Sequence, residues 1–287
     1  MFDRYVVVDW SANSAPKLGR DSIWIAVHDR SGTVTVTNLA TRRSAEAFLI
    51  DLLDQDSSVA TLIGVDFSLG YPAGTAAALG LDGPAWSSTW ALLADRICDD
   101  DRNANNRFAV AAGLNEQMTS SASPFWGCPP STANGHLTTT KPLAQGPLAQ
   151  FRAVEGVLQS QGRRPFSAWQ LLGAGAVGSQ SLLGIPMLDR LRCRFEDRFD
   201  VWPFTTELRA PTIHDGAIVV AEVWPSMFDI SESAERVRDA AQVSVTAQWL
   251  AATDSTGGLD TRFSPAMPLD MAAAVIDEEG WVLGVTP

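Results

Sequence analysis

The sequence predicts an α/β fold on a mixed sheet, three antiparallel strands and then parallel strands, with helices on the flanks. Three observations carry this expectation. Two apolar runs, RYVVVD ending at Asp9 and TLIGVD ending at Asp66, have the continuous hydrophobicity of strands buried on both faces. Short turn-rich links join the first run to two further strand-like segments, which makes these three antiparallel neighbours. An amphipathic helical segment then precedes the 61–66 run, and a helical crossover brings the next strand parallel to an earlier one.

In chain order, residues 4–9 read as a buried strand and SANSAPKLGRD as a long turn. Residues 22–29 are a second strand, and residues 33–39 alternate with period two as a half-exposed third. Residues 44–55 form an amphipathic helix with Ser44 as N-cap and Phe48, Leu49, Leu52 and Leu53 on one face. Residues 61–66 are the fourth strand. Gly83 and Pro84 introduce a helix over 86–98, and another covers 106–118. From 99 to about 150 the composition shifts to Asn, Ser, Thr, Pro and Gly, as in a lid or binding loop. Helices are expected over 148–161, 179–195 and 231–252, strands over 199–204 and 216–225, and a small closing strand in EEGWVLGVTP. The whole reads as a single domain over 1–287, with 99–198 as an inserted helical and loop-rich subregion.

Bulk properties exclude several classes. The 287 residues carry a net charge of −12, which argues against a protein that coats nucleic acid or grips an extended duplex. Lys17 and Lys141 are the two lysines. Arg190, Arg192, Arg194 and Arg198 alternate with Asp189, Glu196 and Asp197 and read as a solvated helix face. Cys98, Cys128 and Cys193 form no C-x-x-C and no zinc spacing, which fits a reducing cytoplasm. No signal pattern opens the chain and no apolar run reaches the roughly 18 to 20 residues of a membrane helix, so a cytoplasmic protein with no membrane partner is expected. The oligomeric state is left open.

The chemistry-bearing residues are carboxylates. Asp9 and Asp66 each end an apolar strand; on neighbouring strands they would lie about 5 Å apart at one sheet edge. Such a pair repels unless one acid stays protonated or a divalent cation lies between them. Glu222 ends another strand. Asp239 begins a helical stripe with Val243, Ala247 and Leu250. The alternative is that strand-end aspartates cap loops, while Glu222 or Asp239 pairs with an arginine. The turn after Asp9 offers Ser11, backbone N–H groups and Lys17 to a phosphate, although turn chemistry explains its Ser and Asn equally well. G-x-G-x-x-G at Gly173, Gly175 and Gly178 lacks a strong preceding strand and reads as a turn that lets a helix pack closely, not as a dinucleotide site. No G-x-S-x-G elbow is present. The three histidines, His28, His136 and His214, sit in a strand and two loops, and Cys128 reads as packing, so a Ser or Cys hydrolase is not expected.

These pieces together resemble the ribonuclease-H-like superfamily and, within it, the uncharacterised family "domain of unknown function 429". The resemblance is carried by VVVDWSA, GVDFSLGYP, AEVWPSMF, VRDAAQVSVTAQWLAA and EEGWVLGV, which follow in order over nearly the whole chain. The sequence departs from the pattern in its enlarged middle, 99–200. The resemblance implies a metal site; fold alone does not choose among nuclease, transposase or phosphotransferase activity. The leading expectation is a Mg²⁺- or Mn²⁺-dependent phosphoester hydrolase. In it Asp9, Asp66, Glu222 and Asp239 hold the metals, Ser11, Lys17 or Arg107 contacts the phosphate, and Trp126 stacks a ring. A short nucleic acid or nucleotide-like small molecule would be the substrate. The alternatives are an actin-like nucleotide-binding phosphotransferase and a non-catalytic binding protein that keeps the fold.

Overall fold

A computed structural model describes residues 1–143, 146–173 and 176–287. Six strands form one mixed sheet: β1 Arg4–Asp9, β2 Ile23–His28, β3 Val34–Leu39, β4 Thr61–Val65, β5 Phe199–Val201 and β6 Ile218–Glu222. Their order is β3-β2-β1-β4-β6-β5. β1 and β2 pair antiparallel, as do β2 and β3, whereas β4 lies parallel to β1 and β6 lies parallel to both β4 and β5. The expected three antiparallel strands followed by parallel ones are therefore present, within an α/β sheet flanked by helices.

The helices are α1 Arg42–Gln55, α2 Thr75–Ala78, α3 Ala85–Arg96, α4 Arg107–Thr119, α5 Ala153–Ser160, α6 Val177–Arg194, α7 Arg238–Ser255, α8 Gly258–Phe263 and α9 Leu269–Ala274. Alternation along the strands splits the core into two layers. Val6, Val8, Ile63, Val65 and Val220 pack with Leu49 of α1, Leu93 of α3 and Leu182 of α6. Tyr5, Val7, Leu62 and Val219 pack on the other face with Val243, Ala247 and Leu250 of α7. The central strands are apolar throughout because both faces are covered. Segment 99–198 is not a separate module, since Leu182, Ile185 and Leu188 of α6 belong to the same core as the sheet.

Several local expectations are corrected. Thr41, not Ser44, is the N-cap of α1; its hydroxyl accepts the Ser44 N–H, and Ser44 returns a bond to close a capping box. The 231–252 helix starts only at Arg238, because SESAERV offers no apolar stripe to bury. The 199–204 strand shortens to three residues. The closing strand reduces to one parallel bridge between Val282 and Glu222, after a π-helical turn over Val275–Glu279. Gly175 lies outside the described residues, but Gly178 behaves as a close-packing glycine: a Cβ there would sit 2.4 Å from the Ala168 carbonyl oxygen. Gly184 presses α6 onto the loop after β4, where a Cβ would fall 2.3 Å from the Phe67 ring. Among the described residues no helix is long and apolar enough to cross a membrane.

Candidate active site

Strands β1, β4 and β6 run parallel and deliver their C-terminal ends to one edge, where open α/β sheets place ligands. Val8 pairs with Val65, so the following residues, Asp9 and Asp66, fall side by side. Their carboxyl groups are close enough to act on each other's proton affinity. Asp66 Oδ1 also accepts the Trp10 backbone N–H at 2.8 Å. From α6, Gln180 donates to Asp66 Oδ2 at 3.4 Å and to the Trp10 carbonyl, tying the two strand ends together.

Burial is the main force on this pair. It holds Asp9 well above the usual carboxylate range, and the negative charge of Asp66, with Asp239 and Asp21 behind it, pushes the same way. Burial raises Asp66 to about 6, against the hydrogen bonds from Asp9, Trp10 and Gln180 that favour its ionised form. Two such acids keep a proton between them unless a cation replaces it.

Asp239 opens α7, on the helix stripe that packs against this half of the sheet, and accepts the Asp21 backbone N–H at 2.7 Å. Together with Asp9, Ser11 and Arg107 it lines a cavity of about 350 Å³. A second cavity of about 260 Å³ is lined by Asp9, Asp66 and Glu222 together with Phe166 and Trp224. Asp9 and Gln180 belong to both, so they form the waist of a two-lobed cleft.

Glu222 is placed differently from its expected role. Its register partner is Val65, one residue short of Asp66, so it lines the same cavity but is offset from the aspartate pair. Both of its oxygens are taken by the Arg152 guanidinium, each at 2.7 Å. Arg152 also holds Glu155 at 2.6 Å and is buried with both acids. Burial pushes Glu155 up, and the Arg152 charge opposes that push. This buried ion triad gives the β6 carboxylate its counter-charge.

The expected phosphate-turn residues divide. Ser11 lies in the polar lobe, where its hydroxyl donates to the Asp21 carbonyl and accepts from Asn13 Nδ2 at 2.7 Å. Lys17 is turned away, exposed and paired with Asp21 at 3.5 Å, and lines neither lobe. Arg107, at the start of α4, is 7 % exposed, and Nε and Nη1 donate to Ser179, Ser14 and Asn105. None of these partners is a carboxylate. Burial, assisted by the nearby Arg42 charge, lowers its pKa to about 10. Trp126 belongs elsewhere: it lines a separate cavity of about 30 Å³ with Trp169 and Lys141.

Gln180, Arg152, Phe166 and Trp224 were not legible as site residues. Gln180 carries one signal, its place in the first turn of the helix that follows the glycine turn, but only the packed structure aims it at Asp66. Among the described residues no group of three or more His, Cys, Asp or Glu side chains is gathered to hold a metal by itself. The fold and the cleft define an α/β protein with a paired-carboxylate site at the parallel strand ends. Comparison with protein-family models, with curated proteins and with solved structures finds no match to this chain.

Proposed function

We propose that the chain is a divalent-cation-dependent phosphoester hydrolase of the ribonuclease-H-like kind, acting on a small phosphoester. The observation that carries this reading is the Asp9–Asp66 pair, two half-buried carboxyl groups side by side at adjacent parallel strand ends, both lining a cleft. The ribonuclease-H-like assignment, and with it the resemblance to "domain of unknown function 429", is supported by the three antiparallel strands, the parallel β4 beside β1, and acids on β1, β4 and the late helix α7.

The donor set fits Mg²⁺ or Mn²⁺. Mg²⁺ is commonly held by one or two carboxylates, with waters and substrate oxygens filling its remaining positions, so two aspartates suffice where a protein cage of three is absent. Asp9 and Asp66 would hold the cation, with Asp239 facing the same cleft. Glu222 stays with Arg152. When bound, the cation supplies Lewis-acid polarisation of a phosphoryl oxygen and a more acidic water. The rest falls to the chain. Gln180 fixes the orientation of Asp66. Arg107 offers the Nη2 group of a desolvated guanidinium to a phosphate oxygen, a charge-assisted contact. Water adds to phosphorus, the ester P–O bond breaks, and the leaving alcohol takes up a proton. The acidic surface favours a small substrate over extended duplex. Free Cys98, Cys128 and Cys193 are consistent with a cytoplasmic setting.

The test is hydrolysis of a panel of phosphomonoesters and phosphodiesters by chelator-treated protein with Mg²⁺ or Mn²⁺ restored. Activity should require the cation and fall to background in Asp9→Asn and Asp66→Asn. Turnover that survives in chelator, or in both variants, would refute the reading.

A further inference from the structure

The two lobes of the cleft differ in chemistry. One presents Ser11, Asn13, Asp21 and Asp239 together with Arg107, whose guanidinium has no ion-pair partner among the described residues. The other is walled by Leu158, Pro165, Phe166, Val177 and Trp224. Phe166 is 46 % exposed, a large ring left open to the lobe within a few residues of the exposed Arg163 and Arg164. Its lobe is smaller than the roughly 300 to 1,000 Å³ of cavities that enclose whole drug-sized ligands, so it suits a single ring system and not a polymer. An apolar ring site, a carboxylate pair suited to a cation and an arginine, in that order across Asp9, match one kind of molecule.

We infer that the substrate is a phosphoester bearing one aromatic ring, of nucleotide size. The ring occupies the Phe166–Trp224 lobe, and the phosphate lies across the Asp9–Asp66 waist towards Arg107. This rests on the phosphoester reading above and adds its substrate class. Aromatic faces bind rings of many kinds, so the lobe selects for the ring's presence more than for its hydrogen-bonding edge. Phe166 and Trp224 are thus specificity residues, separate from the acids.

Benzylphosphonate and methylphosphonate test this. Both carry the same anionic group and neither has an ester bond to hydrolyse. Binding is measured by calorimetry in saturating Mg²⁺ on the full chain. Benzylphosphonate should bind at least about tenfold more tightly than methylphosphonate, as expected for one well-packed ring. Phe166→Ala and Trp224→Leu should each bring benzylphosphonate close to the methylphosphonate level and leave methylphosphonate unchanged. Arg107→Met should weaken both alike. Phe166 is exposed enough that its alanine variant should unfold at the wild-type temperature, which keeps the test open should the Trp224 variant fold poorly. Equal affinity of the two probes, or equal weakening of both by the Phe166 variant, would overturn the ring lobe and leave the phosphoester reading standing. Failure of both probes to bind at millimolar concentration would overturn both.

Discussion

Asp9 and Asp66 stand side by side at the ends of adjacent parallel strands, and the charge of Asp66 helps to hold the Asp9 proton in place. A sheet that buries Val6 to Val8 and Leu62 to Val65 completely would gain most by ending those strands in apolar or neutral residues. Two acids there impose a desolvation and repulsion cost that a bound cation relieves.

Added Mg²⁺ or Mn²⁺ should therefore stabilise chelator-treated protein. A ligand at a hundredfold excess over its Kd contributes about 2.7 kcal/mol, a rise of several degrees in Tm for a chain this long. The rise should vanish in Asp66→Asn. Thermal unfolding with and without cation measures it, and an unchanged wild-type Tm at millimolar cation would exclude a standing site.

The same pair makes the cation-free protein pH-sensitive. Asp66 is raised to about 6 and Asp9 is raised well above its ordinary 3.8. An acid raised on folding binds its proton more tightly in the native state. Its stabilising contribution is then complete below the unfolded pKa and is lost as pH climbs through the folded one. Relative to Asp66→Asn, wild type in chelator should lose stability from about pH 4 upwards through 6 and beyond. Saturating Mg²⁺ should flatten the trend. Denaturant midpoints across that window report it; a constant difference between the two proteins would speak against a shared proton.

Arg152 should matter for folding and Glu222 should not matter for the cation. Arg152→Met leaves Glu155 and Glu222 buried without their counter-charge, a loss of about 3–5 kcal/mol. Glu222→Gln should retain the cation-induced Tm rise that Asp66→Asn abolishes. If Glu222→Gln removed that rise as well, Glu222 would belong to the cation shell.

Gly184→Ala should destabilise by about 1–3 kcal/mol through overpacking, because its Cβ would meet the Phe67 ring. Phe67 follows Asp66 directly, so the same variant should also weaken the cation response. Urea unfolding and the Mg²⁺ titration read the two effects separately.

The local signals in this chain were strong where one periodicity served one layer. RYVVVD, TLIGV and the Val243–Ala247–Leu250 stripe announced their elements because each buries apolar side chains at a fixed spacing. The signal failed where two elements share one job. Nothing in Arg152 points to Glu222, since the pair is separated by 70 residues and meets only when α5 docks at the end of β6. Trp126 and Lys17 carry the right chemistry for a substrate site and the wrong positions, which depend on how the segment after α4 and the turn after β1 close.

The sequence by itself determined the first four strands, the antiparallel start, the parallel continuation, and the aspartates at the end of β1 and just after β4. These follow from hydrophobic period, link length and side-chain charge, all properties of short stretches of chain. Only the tertiary structure decided which acids meet, because register is a relation between strands. It sets Asp66 beside Asp9, and it offsets Glu222 by one residue into the grip of Arg152.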